Sequence, residues 1–310
     1  MIGDFQLRRW AAYASISCAA LLIAVKLGAY LVTGSVAILS SLIDSSVDAL
    51  ASIVILVSVL HAQRPADRAH RFGHGKAEAL AALTQAAFVT GSAVALGYQA
   101  IQRLIYPVPV KEELVGVAVM IFASLVTAGL VAFQRHVIQR TGSIAIDADS
   151  LHYRGDLLMN AAVVSGLMLA AYTGLPQLDT MFGVAIAAYL VYHAWGIGRG
   201  ALDQLMDREL SSADRRKIEA LVMAHPDTRG MHDLRTRSAG NTVFIELHLE
   251  MDKTLTLEHA HDITDQVETI LTEAFPSAEV IVHQEPEGLE DVRLDQLIAT
   301  HSGGRRSLKK

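Results

Sequence analysis

Asp44 and Asp48 stand four residues apart inside SVAILSSLIDSSVDALASIVILVSVL, a stretch otherwise suited to lipid. A later apolar stretch carries His152 and Asp156 at the same spacing. On a helix, residues i and i+4 stack on one face. An aspartate at the centre of a membrane helix costs roughly 3 kcal/mol, so three represent a burden of roughly 9 kcal/mol that something must offset. A doubly charged metal ion held between the two helices would do so. Three carboxylates and one imidazole close a tetrahedral shell suited to Zn²⁺. With no thiolate in the set, Fe²⁺, Cd²⁺, Co²⁺ and Mn²⁺ are also admissible. The competing reading makes these acids structural groups facing a water cavity, but ionisable residues at membrane depth are usually functional. Asp149 and Asn160 share roughly the same face and read as supporting or pore-lining groups or, more readily, as bystanders.

Metal needs ionised carboxylates and a neutral imidazole, so metal and protons compete for this site, and histidine titrates near neutral pH. A site opening alternately to the two sides would release metal where protons are plentiful. No nucleotide-binding GxxxxGK[ST] pattern occurs, which directs the reading to a secondary transporter rather than an ATP-driven pump or an enzyme.

Two further clusters have ligand chemistry. PADRAHRFGHGKAE places Asp67, His70 and His74 within eight residues, enough for a partial shell completed by water; its competitor is a solvated basic loop. Farther on, His248 projects from the polar face of an alternating strand, His283 and Glu285 share a face of another, and His232 and His261 come from separate elements. Together these five donors could gather two ions at a dimer seam. His61, His136, His193, His225, His259 and His301 read as ordinary residues.

The elements that carry these groups divide the chain. The hydrophobic fraction is 52% and mean hydropathy +0.34 over 310 residues, high for a soluble protein. Residues 1–206 hold 13 Lys/Arg against 12 Asp/Glu, and residues 207–310 hold 13 against 20. Neither half has the basic, aromatic-studded surface that nucleic acid requires. The single cysteine, Cys18, excludes a disulfide framework and a thiolate cluster. The N-terminus reads as mature sequence rather than a signal peptide.

Six segments can span a bilayer, near 10–32, 37–61, 78–105, 113–134, 145–173 and 177–200. They are broken by Thr33-Gly34-Ser35, by Pro107 and Pro109, and by Gly174-Leu175-Pro176. Arg8, Arg9, Arg64, Arg68, Arg71, Lys76, Arg135 and Arg140 flank one side, and little beyond Lys111 and Arg103 the other. The positive-inside rule then puts both termini in the cytoplasm.

Residues 207–288 alternate differently, in the order α-β-β-α-β, a small α+β layer. Its second helix has an expected apolar stripe through Ala260, Ile263, Val267, Ile270 and Ala274. A domain this small benefits from dimerisation or metal. Residues 289–310 are charged and aperiodic and read as a flexible tail.

Asp44-x-x-x-Asp48, His152-x-x-x-Asp156 and RFGHGKAE, in helices of this order, resemble the cation diffusion facilitator family, and within it the bacterial zinc and ferrous-iron efflux members. The likeness covers nearly the whole chain except the tail. It implies six transmembrane helices, a cytoplasmic metallochaperone-like domain, a homodimer in the bacterial inner membrane, and export of divalent metal (Zn²⁺ foremost, with Cd²⁺ and Fe²⁺) against inward protons. By the same likeness Asp44, Asp48, His152 and Asp156 are the transport site, and Asp67, His70 and His74 a loop zinc site. His232, His248, His261, His283 and Glu285 are then the cytoplasmic site, with Glu285 standing where the family usually has Asp. Lys76 and Asp207 match a salt bridge between the domains. The rival readings are a membrane-anchored metal sensor, which needs no intramembrane ligands, and a channel or structural protein, which needs no titratable tetrahedral site.

Overall fold

The computed structural model describes residues 2–34, 36–105, 114–173, 177–289, 293, 294 and 296–298. The expected breaks at Pro107, Pro109 and 174–176, together with Lys111 and the last residues of the tail, lie outside them. The chain forms two compact units, residues 1–203 and 204–310.

The first unit consists of α1 (Ile2–Thr33), α2 (Val36–Ala62), α3 (Lys76–Ile105), α4 (Leu114–Thr141), α5 (Ile144–Thr173) and α6 (Gln177–Leu205). Among the described residues, five of these are long and apolar enough to cross a membrane. The exception, α5, carries Asp147, Asp149, His152, Arg154 and Asp156 in its first half. Two glycines set the corners. Gly34 ends α1 at φ +64° and Gly142 ends α4 at φ +61°, each donating its N–H back to the last turn, a conformation for which glycine has no Cβ penalty.

Large apolar side chains such as Trp10, Tyr192 and Trp195 are exposed, as expected of faces that meet lipid. Between helices the packing uses small residues instead. Ala11 and Ala12 of α1, Ala81 of α3 and Ala145 of α5 are fully or almost fully buried together with Ile55, Val59 and Val137, because small side chains let helix backbones approach closely where no hydrophobic drive separates lipid from protein. Cys18 is buried in a second cluster with Leu22, Leu130 and Tyr153.

One end of this bundle is held by a buried ion pair. Arg8 Nη1 of α1 donates to Glu78 Oε1 of α3 at 2.9 Å, and Arg8 Nη2 donates to the Thr141 carbonyl at 2.6 Å. Ser143 Oγ satisfies the other Glu78 oxygen at 2.8 Å. With both Glu78 oxygens and both terminal Arg8 nitrogens hydrogen-bonded, the pair fixes α1, α3 and the α4–α5 corner, whereas removing either charge would leave the other buried and unpaired.

The second unit contains α7 (Ser212–Met223), β1 (Gly230–Ala239), β2 (Thr242–Met251), α8 (Leu257–Ala274) and β3 (Ala278–Pro286). The sheet order is β1-β2-β3; β1 is antiparallel to β2, and β3 runs parallel to it after the α8 crossover. Ser211 and Thr256 cap the helices through their hydroxyls. Ile245, Leu247, Leu249 and Met251, alternating along β2, form the core with Ile218 and Val222 of α7 and Ile263, Val267 and Leu271 of α8.

The observed α8 stripe differs from the sequence expectation in one place. Leu271, four residues after Val267, is buried along with Thr264, and Ile270 is only half-buried. Two described residues beyond β3 also meet the sheet. Arg293 Nη2 donates to Glu250 Oε1 at 2.6 Å and the Leu294 N–H donates to Asp233 Oδ2 at 2.8 Å.

Candidate metal centres

In the membrane unit, α2 and α5 bring Asp48, His152 and Asp156 together, with one ligand atom from each within 4.8 Å of the others. His152 Nε2 lies 2.8 Å from Asp48 Oδ1 and 3.6 Å from Asp156 Oδ2. Both contacts use the same imidazole nitrogen, so a single ion displacing the proton there would meet all three side chains. Asp44 lies one turn before Asp48 and is not in this tight group, but it lines the same cavity of about 440 Å³. Lys26, Ser45, Thr127 and Asn160 line it too. Asn160 is thus a wall residue, its Nδ2 donating to Ser124 Oγ at 3.1 Å.

Asp149 belongs to a different assembly. It is fully buried and accepts from Ser15 Oγ at 2.5 Å and from Gln134 Nε2 at 2.7 Å. Ser52 Oγ reaches its other oxygen at 3.4 Å and the Tyr153 hydroxyl at 2.9 Å. This knot draws on α1, α2, α4 and α5, and it sits next to His152 in sequence. Its effect is to fix the rotation of α5 about its axis, and so the direction in which His152 points. From sequence Asp149 reads as a bystander or a supporting group with no partners to name, because Ser15, Ser52 and Gln134 are each unremarkable alone.

Lys26 was also not singled out from sequence, although the signal was there: a lysine in the middle of the apolar run LLIAVKLGAYLV is an ionisable group at membrane depth.

The connection between α2 and α3 folds around Asp67. Its Oδ1 accepts from the Ala69 N–H at 2.8 Å and the His70 N–H at 2.7 Å, a local turn that aspartate favours. These backbone donors, that of His70 first, hold the Asp67 carboxyl below the usual range. His70 Nδ1 and His74 Nε2 each lie 3.3 Å from an Asp67 oxygen, and the three form a second ligand group. The other nitrogen of His74, Nδ1, is buried without a hydrogen-bond partner. The residues fit a divalent ion with two nitrogens and a carboxylate, the remaining positions being open to water.

In the second unit the ligands follow from strand register. His232 of β1 faces His248 of β2, which faces His283 of β3, so three imidazoles form one row across the sheet. Two residues along, on the same face, Glu250 faces Glu285, while β1 has Gly230, where a Cβ would come within 3.0 Å of Glu250 Oε2. Glu285 accepts from both sides: His232 Nε2 at 2.9 Å and His248 Nδ1 at 2.7 Å. Burial raises its pKa, but the hydrogen bonds from His248 and His232 outweigh burial and hold the carboxyl below its usual range. His232, His248 and Glu285 form the third ligand group.

His283 is at its margin, 3.5 Å from Glu285 Oε1, and largely exposed. His261 stands apart on α8, 3.6 Å from Asp265. The buried Nδ1 of His232 lacks a hydrogen-bond partner, which fits a donor set built for more than the carboxylates around it. Asp207, at φ +56°, lies 3.5 Å from Arg237 Nη1, and Lys76 opens α3.

The sequence matches the cation efflux transmembrane domain over residues 12–206 and the cytoplasmic domain of cation efflux proteins over residues 210–287. The chain belongs to the cation diffusion facilitator family. Among this family's curated members, the cation-efflux pump FieF of Cronobacter sakazakii is 46% identical over 276 residues, covering 89% of this chain and 92% of that protein. FieF of Shewanella oneidensis is 45% identical over 280 residues, covering 90% and 94%. A solved structure of CzrB in its zinc form shares 33% identity and covers 28% of this chain and 99% of its own, with a TM-score of 0.26. The membrane helices and the α-β-β-α-β order expected from sequence are those of this family.

Proposed function

We propose that the protein exports divalent metal from the bacterial cytoplasm in exchange for protons, with Zn²⁺ the foremost cargo and Cd²⁺ and Fe²⁺ also carried. The observation that supports this most is the meeting of Asp48, His152 and Asp156 in a cavity among membrane-spanning helices. Asp44 completes a tetrahedral shell by turning in from the same wall. The relatives named above are cation-efflux pumps.

Proton exchange follows from the ligands themselves, because each can hold a proton only when it does not hold metal. The protein is then a transporter and not an enzyme. It sits in the inner membrane with both termini on the cytoplasmic side, where the arginine-rich connections belong.

In this reading the loop group of Asp67, His70 and His74 captures metal, regulates the transporter or supports the dimer. His232, His248, His283 and Glu285, with His261, hold zinc at the seam of a homodimer and bias the membrane unit's conformational equilibrium; they do not carry flux. The extra methylene of Glu285 relative to the family's usual Asp shifts its oxygens by about one bond length and changes how two ions share them.

Vesicles containing the purified protein and a metal-sensitive dye test the proposal. The expected result is saturable uptake driven by a proton gradient, with zinc, cadmium and iron ranked by concentration dependence. Uptake that ignores the gradient would mean a channel, and none at all would favour a sensor.

A further inference from the structure

Lys26 lies on α1, a helix that contributes no ligand to any of the three groups, yet its side chain lines the membrane cavity with Asp44, Asp48, His152 and Asp156. The ammonium is not loose. Lys26 Nζ donates to Ser45 Oγ at 2.6 Å and to the Ser41 carbonyl at 3.1 Å. Both acceptors belong to α2, and Ser45 is the residue after Asp44. The amine is therefore parked on the ligand-bearing helix and hydrogen-bonded to neutral oxygens.

We propose that Lys26 is a tethered counter-cation of the transport site, setting both the charge of the ion it accepts and how readily it lets that ion go. The argument is one of charge in a poorly solvated cavity, where an unbalanced charge is costly. Three carboxylates, one ammonium and one divalent ion cancel, with the imidazole neutral. A monovalent ion would leave one negative charge uncancelled, and without Lys26 a divalent ion would do the same. Lys26 also keeps the empty site from carrying three uncompensated charges, so metal is bound less tightly than three bare carboxylates would bind it, and it leaves more easily. Ser45 and the Ser41 carbonyl matter because they keep the ammonium from pairing directly with a carboxylate and blocking it. Lys26 is thus a positioning and specificity residue, not a ligand.

The inference rests on the transport reading, and one experiment separates the two. Zinc uptake is measured in vesicles at alkaline pH, where protons compete least, for the wild-type chain and for Lys26→Gln, Lys26→Arg and Ser45→Ala. Absence of saturable uptake by the wild-type protein removes the transport reading itself.

With wild-type uptake intact, Lys26→Gln is expected to lower KM about tenfold, because a repulsive charge is gone, and to lower kcat because metal is held too long. Lys26→Arg should keep both within about twofold of wild type, since the charge is kept. Ser45→Ala should raise KM, because the freed ammonium turns to the carboxylates, and a purely structural role for Lys26 predicts no such opposite shift. An unchanged KM in Lys26→Gln, or a Lys26→Arg protein that behaves like Lys26→Gln, overturns the proposal. If Lys26→Gln does not reach the membrane folded, Ser45→Ala decides alone: a KM equal to or below wild type overturns it.

Discussion

The membrane cavity and the sheet of the second unit both gather histidine and carboxylate, but by different geometry. In the membrane, Asp48 on α2 meets His152 and Asp156 on α5; the ligands depend on helical spacing within each helix and on the packing of one helix against the other. In the sheet, His232, His248 and His283 occupy one register row tied by backbone hydrogen bonds. Packed helices can shift against one another by small translations, here within the limits that the Asp149 knot sets. A hydrogen-bonded register cannot shift by one residue without turning every side chain to the other face. The first arrangement suits a site that must open to two sides in turn, and the second suits one that stays assembled.

The largest effect expected from this contrast is in the membrane. Asp44 lies outside the tight group, so if it completes the shell on metal binding, Asp44→Ala should reduce vesicle uptake of zinc by about 100-fold while the protein still inserts. Retention of more than half the uptake would leave the site with three protein ligands. Next, His152→Asp replaces the only nitrogen donor by oxygen. The ratio of zinc to manganese uptake should fall by about tenfold, and an unchanged ratio would remove His152 from the ligands.

In the sheet the effects are smaller and fall on assembly. His248→Ala combined with His283→Ala should lower the zinc content of the isolated 207–310 fragment and weaken its association several-fold, read by metal analysis and sedimentation; an unaltered fragment would reduce the cluster to a surface rich in histidine. The smallest effect concerns acid. The Glu285 carboxyl is held below its ordinary range, so its contacts stabilise the fold above that range and are lost as pH falls through the depressed value. Metal-free wild-type fragment should exceed Glu285→Gln by about 1 kcal/mol at neutral pH, with the gap closing in strong acid. A gap that persists or widens in acid would contradict the sign.

What could be read from the chain follows physical range. Spacing within one element is local, so Asp44/Asp48, His152/Asp156 and the alternation of β2 were legible, as was the order α-β-β-α-β. Asp67, His70 and His74 were legible for the same reason, lying in one short turn. Choices made between elements were not. Which of Ile270 and Leu271 turns inward depends on the faces of β2 and α7 that α8 meets.

Distant partners were equally hidden. Asp149 acquires its role only when Ser15, Ser52 and Gln134 arrive from three other helices. Arg293 is one more charge in an aperiodic tail until Glu250 is there to receive it. Lys26 shows a third case: its chemistry was visible in the sequence, while its relevance depended on α1 standing beside the cavity.

The comparison between the two regions reduces to which cluster carries the flux. Zinc uptake by Asp48→Ala and by the His248→Ala, His283→Ala double variant, measured side by side in vesicles of equal protein content under one proton gradient, asks this directly. The account predicts uptake at the leak level for Asp48→Ala and a reduced but saturable uptake for the double variant. Substantial uptake by Asp48→Ala, or complete loss in a well-folded double variant, would contradict it.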